Sequence, residues 1–374
     1  MSGRSPAEGT ESAAGPALLV PTDFTQITGW SSDDHVAALA CFRISARRMI
    51  ERPYSTKALG VDAQRLAAVG ARALQIGEVG AAAAQAFFEE NFRPLQIRPS
   101  AGSGFVTGYF EPELPASPVR TPRFAFPLYR RPDDLVDIDD ATRPATLDRS
   151  YMFARRSAAD LDEYHDRAAI EAGALAGRSL ELAWLESPID AFFVHIQGSA
   201  RLTMPDGSLW RVSYAGKSGH PFTPIGALLI AMGELRREDV TMDTIRAWLE
   251  ADLPRARKLM AQNRSFIFFQ RVAQDDPSLG PIAAASVPLT PGRSLAVDHR
   301  LQTFGAPVWV ATHAPLPHER LPFRRLMIAQ DTGSAIVGAA RGDLFIGSGR
   351  EAGSIAGAIR HAADFFVLAP ETLP

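Results

Sequence analysis

Cysteine is nearly absent from this 374-residue chain: Cys41 stands alone, which excludes an intrachain disulfide and a cysteine zinc site. No run of 18 or more apolar residues is present to span a membrane as a helix. Charge of one sign is also lacking. The formal net charge is −3, and the pairs Arg47-Arg48, Arg155-Arg156 and Arg324-Arg325 extend into no basic block, so nucleic acid is not expected as a partner. Met1–Pro16 has neither the basic start nor the apolar stretch of a secretion signal. Ala38-Leu39-Ala40-Cys41 has the look of a lipoprotein cleavage site, but Asp33, Asp34 and His35 stand where such a site needs apolar residues. Glycines near Gly338 and Gly347 lack the Lys-Ser/Thr of a phosphate loop, so no nucleotide cofactor is expected. His313 and His318 lack a third ligand, and the acidic run from Asp133 to Asp140 lacks the glycine and glutamate of a calcium loop; no metal is expected.

What is present is a chain long enough for two domains, 46% hydrophobic and punctuated by 28 prolines and 29 glycines. Residues 1–20 read as a disordered leader. Leu39, Phe42, Ala46, Met49 and Ile50 recur at helical spacing, and a second helical region runs from Leu66 to Phe88. Gly104–Phe110 reads as a strand, after which Pro112, Pro115, Pro118, Pro122 and Pro127 mark a domain crossing. Phe192, Val194 and Ile196 alternate with Phe193, His195 and Gln197, which predicts another strand and places His195 on a face with Gln197 as a buried, hydrogen-bonded histidine. Pro205-Asp206-Gly207 predicts a hairpin between Arg201–Met204 and Leu209–Tyr214. Ile245, Trp248 and Leu249 mark a helix ending near Pro254. Short strands then follow at Phe266–Gln270, Ser294–Asp298, Val308–Ala311, Leu326–Gln330, Leu344–Ile346 and Phe365–Leu368. The expected class is mainly β with a helical N-terminal region: a closed barrel from residues 21–112 and 258–374, with a β-rich domain inserted at 113–257.

The chemistry concentrates near the end. Asp331 closes one apolar run in Gln330-Asp331-Thr332-Gly333, and Asp343 opens another in Gly342-Asp343-Leu344-Phe345-Ile346-Gly347-Ser348-Gly349. Carboxylates at strand ends are held firmly and remain open to a ligand, which suits acid chemistry on a glycan. An aspartic acid must have its pKa raised to serve as an acid at neutral pH, and apolar neighbours are one means. Taken alone, each aspartate also fits a turn in which backbone N–H groups satisfy the carboxylate.

With Asp298, these residues match in order and rough spacing the three aspartates of the 3D domain. Thr107-Gly108-Tyr109-Phe110-Glu111-Pro112, Gln197-Gly198-Ser199, Ser213–His220 and Gln262–Phe269 extend the match. From about residue 100 to 370 the chain resembles the membrane-bound lytic murein transglycosylase A family. It departs from the family pattern in the loop after Asp331, with Ser334 for a glycine, Val337 for a lysine and one extra residue before Asp343.

The resemblance implies a double-psi β-barrel, an inserted β domain and a groove between them. It implies Asp343 as the catalytic acid, Asp331 and Asp298 as supporting acids, and Tyr109, Glu111, Gln197, Ser199, Tyr214 and Lys217 as substrate contacts. His220 lies in the same glycine-rich motif. The implied reaction cleaves the β-1,4 bond between N-acetylmuramic acid and N-acetylglucosamine without water. One aspartate protonates the leaving oxygen, then accepts the proton of the sugar's own C6 hydroxyl, and a 1,6-anhydro ring forms. Peptidoglycan glycan strands are the implied partner, a monomer the implied state, and cell-wall synthesis or division proteins further candidates. The implied location is the periplasm, at the outer membrane. Two alternatives remain open at this stage: a hydrolase using Asp331 or Glu111 as second carboxylate, and a wall-binding or loosening module without catalysis.

Overall fold

A computed structural model of the chain describes residues 17–371, apart from 101, 159, 274, 275, 317 and 318. The expected leader thus lies outside the described residues as far as residue 16, and so does His318. The chain divides into two compact units: residues 1–106, 293–343 and 360–374 form the first, residues 107–292 and 344–359 the second.

The first unit contains β1 (Leu18–Pro21), α1 (His35–Glu51), α2 (Ala63–Gln75), α3 (Ala81–Asn91) and β2 (Phe92–Arg98). Within β3 (Phe105–Glu111) the chain passes into the second unit. There follow β4 (Glu113–Ser117), β5 (Phe126–Tyr129), β6 (Leu135–Asp137), β7 (Phe153–Arg156), β8 (Leu161–Asp162), the turn α4 (Arg167–Ala169) and β9 (Glu181–Leu185). Next come α5 (Pro188–Gln197), β10 (Ser199–Thr203), β11 (Leu209–Lys217), α6 (Ile225–Ala231), α7 (Met242–Ala251), α8 (Leu253–Met260) and β12 (Ile267–Val272). The first unit resumes with β13 (Ser294–Val297), β14 (Pro307–Pro315) and β15 (Pro322–Asp331). β16 (Arg341–Ser348) and α9 (Gly349–Gly357) follow, then β17 (Arg360–Pro370). The result is a mixed α/β structure dominated by sheets.

An eight-stranded sheet has the order β1-β2-β17-β14-β15-β13-β16-β3, and β3 also pairs with β17. β14 runs antiparallel to β15 and β17, whereas β13 runs parallel to β15. The helices of the first unit are set by local signals. Asp34 and Asp62 cap α1 and α2 by accepting backbone N–H groups, and Leu39, Phe42, Ala46 and Met49 form the buried face of α1. Ile50, expected on that face, is 49% exposed, because it lies one step past Met49 on the turning helix. Leu18–Pro21, of which all but Pro21 was expected in the leader, pairs antiparallel with β2.

In the second unit a six-stranded sheet has the order β12-β11-β10-β4-β9-β5, and an isolated parallel bridge from Arg130 to Phe269 ties its two ends. The predicted hairpin forms, with β10 antiparallel to β11. The strand predicted over Phe192–Gln197 is instead helix α5. Ser187 caps it, Pro188 occupies its first turn and Gly198 ends it in the left-handed conformation at φ +76°. Ile189 and every residue from Ala191 to His195 are buried, so an apolar run covered on all sides carried no usable period. As expected, the helix marked by Ile245, Trp248 and Leu249 ends at Ala251, three residues before Pro254. Pro254 itself opens α8, where a missing N–H costs nothing.

Candidate functional site

Two buried polar clusters support the strand ends of the first unit. The Arg293 guanidinium grips both oxygens of Asp33, at 2.7 and 2.9 Å, and donates to the Leu326 carbonyl at 3.0 Å. Asp33 also accepts the Leu326 N–H at 2.8 Å, so the start of β13 and the middle of β15 share one anchor. Gln330, fully buried, accepts from Ser294 Oγ and donates to Ser45 Oγ at 2.8 Å. This fixes β15 just before Asp331.

The three aspartates then take different surroundings. Asp298 is 2% exposed. Its carboxylate accepts from the Arg300 guanidinium at two points, both 3.0 Å, from the Arg300 N–H at 3.1 Å and from the Gly338 N–H at 3.0 Å. Burial alone would raise its pKa, but the bonds from Arg300 and from the Gly338 and Arg300 N–H groups outweigh burial and hold it below the usual aspartate range. Asp331, half-buried, stands opposite Ala296 in the parallel pair after a register shift. The next residue, Thr332, donates to the Val297 carbonyl at 2.8 Å and pins this turn to the end of β13.

Asp343 is also half-buried, in β16. Its predecessor explains the placement. A Cβ on Gly342 would lie 2.8 Å from Leu295 Cδ1 and 3.0 Å from the Phe365 ring, so only glycine allows that approach. Successive strand residues point to opposite faces, which sends Asp343 away from that packing. Arg341, two positions earlier, is the charged neighbour: burial lowers its pKa, and the Asp343 charge works against that shift.

Within the second unit, Tyr109 packs on Phe345 with ring centroids 5.3 Å apart. Glu111 is fully buried. It forms ion pairs with Arg211, at 2.7 and 2.9 Å, and with Arg201 at 3.0 Å, and accepts from Ser348 Oγ at 2.7 Å. Ser348 belongs to the Gly-Ser-Gly triplet that follows Asp343 in the sequence. These arginines escaped sequence reasoning because no local pattern links residues 90 and 100 positions apart.

Gln197 ends α5 and accepts the Phe110 N–H at 3.3 Å, while Ser199 begins β10 and is buried. His195 accepts from Arg167 at 3.0 Å, which fixes its proton on Nε2; burial and the Arg167 charge hold it neutral. On a helix, His195 and Gln197 do not share the face expected of them. Tyr214 is 44% exposed, beside the bulge at Ala215 where β11 shifts register against β12. Lys217 is half-buried, and burial pushes its ammonium below the ordinary lysine range. His220 is buried between Tyr151 and the Tyr164 carbonyl, to which its Nε2 donates at 2.7 Å. No group of three or more metal-ligating side chains, and no helix long and apolar enough to cross a membrane, occurs among the described residues.

Comparison with known proteins bears on both units. Residues 105–270 match the model of the MltA specific insert domain, and residues 293–369 match that of the 3D domain. The chain is 34% identical over 275 residues to "Membrane-bound lytic murein transglycosylase A" of Escherichia coli (strain K12). That match covers 71% of this chain and 66% of the relative, just under two thirds of its length. Among solved structures, a membrane-bound lytic murein transglycosylase from Agrobacterium tumefaciens is 43% identical, with a TM-score of 0.88 over 94% of this chain and 97% of that one. E. coli MltA with bound chitohexaose is 27% identical, with a TM-score of 0.66 over 97% and 93% of the two chains.

Proposed function

We propose a function on one premise: the chain belongs to the membrane-bound lytic murein transglycosylase A family. It is a peptidoglycan lytic transglycosylase that cleaves the β-1,4 bond between N-acetylmuramic acid and N-acetylglucosamine and leaves a 1,6-anhydromuramoyl end. It acts in the periplasm, at the outer membrane. The cycle of pairings through β17, β14, β15, β13, β16 and β3 supports a barrel of the double-psi type as the catalytic framework.

Asp343 is the acid that becomes the base. Its half-buried position is compatible with both substrate access and partial desolvation. The Arg341 charge favours the carboxylate, the form required when the C6 hydroxyl gives up its proton. Covering of the site by a neutral glycan favours the protonated form needed first. Asp331 supports it from the neighbouring turn, and Asp298 holds the turn through Gly338.

One observation weighs against hydrolysis through Glu111. A hydrolase needs a second carboxylate to activate water, and Glu111 is cut off from solvent and held by Arg201 and Arg211. That leaves Asp331 as the second carboxylate a hydrolase would use, and Asp343 acting alone is the reading we favour. Tyr109, Gln197, Ser199, Tyr214 and Lys217 contact the glycan, and the chitohexaose held by the E. coli relative supports a saccharide ligand. Purified peptidoglycan digested by wild type and by Asp343→Asn, with termini identified by mass spectrometry, tests the proposal. Anhydro ends from wild type alone are expected. Reducing ends would make this a hydrolase through Asp331, and binding without cleavage would leave a wall-binding module.

A further inference from the structure

A cleft of about 580 Å³ opens in the second unit where the chain leaving β5 meets β11 and β12. Arg130, Arg131 and Arg271 line it together with Tyr214 and Gln270, and no carboxylate is among its lining residues. In a chain of net charge −3 this is a local excess of cations.

Each guanidinium is already held in place. Arg130 donates to the Ser179 carbonyl. Arg131 donates to the Ala215 carbonyl at 3.2 Å, at the bulge beside Tyr214, and to the Leu135 carbonyl at 3.0 Å. Arg271 lies over the Trp210 ring at 4.1 Å. Asp137, 2.5 Å from Arg131, neutralises that residue. Arg130 and Arg271 are exposed, and neither pairs with a carboxylate among the described residues. Donors oriented in advance lose less freedom on binding, and a guanidinium fork matches a carboxylate at two points.

We propose that this cleft binds the carboxylates of the peptide stems of peptidoglycan, so that the second unit reads peptide as well as sugar. The inference rests on the peptidoglycan reading above. Chemistry selects the occupant. The glycan is neutral once the lactyl carboxyl of its muramic acid is tied up in the amide to a stem, and the negative charges then lie on the peptide. Two free guanidiniums suit the carboxylates of an acidic peptide, and the exposed Tyr214 ring offers its apolar stretches a surface.

Intact peptidoglycan and the same material stripped of peptide by an amidase, its freed lactyl carboxylates then capped as methylamides, are digested in parallel, by wild type and by the double variant Arg130→Glu/Arg271→Glu. Matched thermal unfolding checks the fold of the variant. Wild type is expected to favour the peptide-bearing substrate by about tenfold in kcat/KM. The double variant should lose that preference while cleaving stripped glycan at the wild-type rate. Equal wild-type rates on the two substrates, or a preference unchanged in the variant, would overturn the proposal. If neither substrate is cleaved, the activity reading fails. Titration of isotope-labelled protein with free L-Ala-γ-D-Glu-meso-diaminopimelate then decides the site separately. Shifts at Tyr214 and Gln270 that the double variant abolishes support it, and a flat titration of wild type refutes it.

Discussion

In the first unit the buried carboxylate of Asp298 draws its counter-charge from Arg300, two residues along the chain. In the second, Glu111 draws it from Arg201 and Arg211, the latter 100 residues away, and adds the Ser348 hydroxyl. Arg300 keeps most of its side chain in solvent at 63% exposed, whereas Arg211 is 8% exposed. The first arrangement is a local clasp that shapes a turn. The second is a cross-link among strands distant in sequence, and it seals Glu111 from solvent. Both fully buried acids are thus tied to arginines, and on the proposed reading the acids that meet the glycan are the half-buried ones, Asp331 and Asp343.

The largest test of that division is Asp343→Asn, which should lower kcat by about a thousandfold or more while binding of glycan and thermal stability stay near wild type. Loss of stability in step with activity would place Asp343 with the structural acids. Glu111→Gln removes the charge facing the buried Arg211 and the partly buried Arg201, and should cost about 3–5 kcal/mol of stability, read from urea denaturation. A fall in kcat at unchanged stability would instead return Glu111 to the chemistry and break the comparison.

Asp298→Asn is a milder change, about 1–2 kcal/mol at neutral pH, because Arg300 is left in solvent and one Gly338 bond weakens. The sign of its pH dependence follows from the depressed folded pKa. The stabilisation is complete above the unfolded value of 3.8 and disappears as pH falls through the lower folded value, so wild type and variant should converge in acid melts. The smallest effect expected is Tyr214→Ala, a rise in KM of about fivefold with kcat and stability unchanged, since the residue is 44% exposed.

Much of this was legible before folding. Capped helices, the Pro205-Asp206-Gly207 hairpin and the succession of short strands follow from local rules, because caps, turns and alternating strands are decided by neighbours within a few residues. Local rules failed at Phe192–Gln197, where burial on every side erased the alternation between inside and outside. They also failed at the first strand, Leu18–Pro21, whose pairing with β2 lies more than 70 residues away. The candidate acids were readable as residues flanked by glycine and apolar runs. Their ranking was not.

Asp298, Asp331 and Asp343 differ in the structure by what surrounds each carboxylate: a closed shell of donors for the first, and half-open strand ends for the others. By itself the sequence determined many of the element types, the order of the motifs and the family, since these are carried by residue identity and spacing. Only the tertiary structure decided that Glu111 is sealed between Arg201 and Arg211 and that three arginines meet at one cleft. Desolvation and charge pairing depend on distances through space, and those exist only once strands far apart in the chain lie side by side.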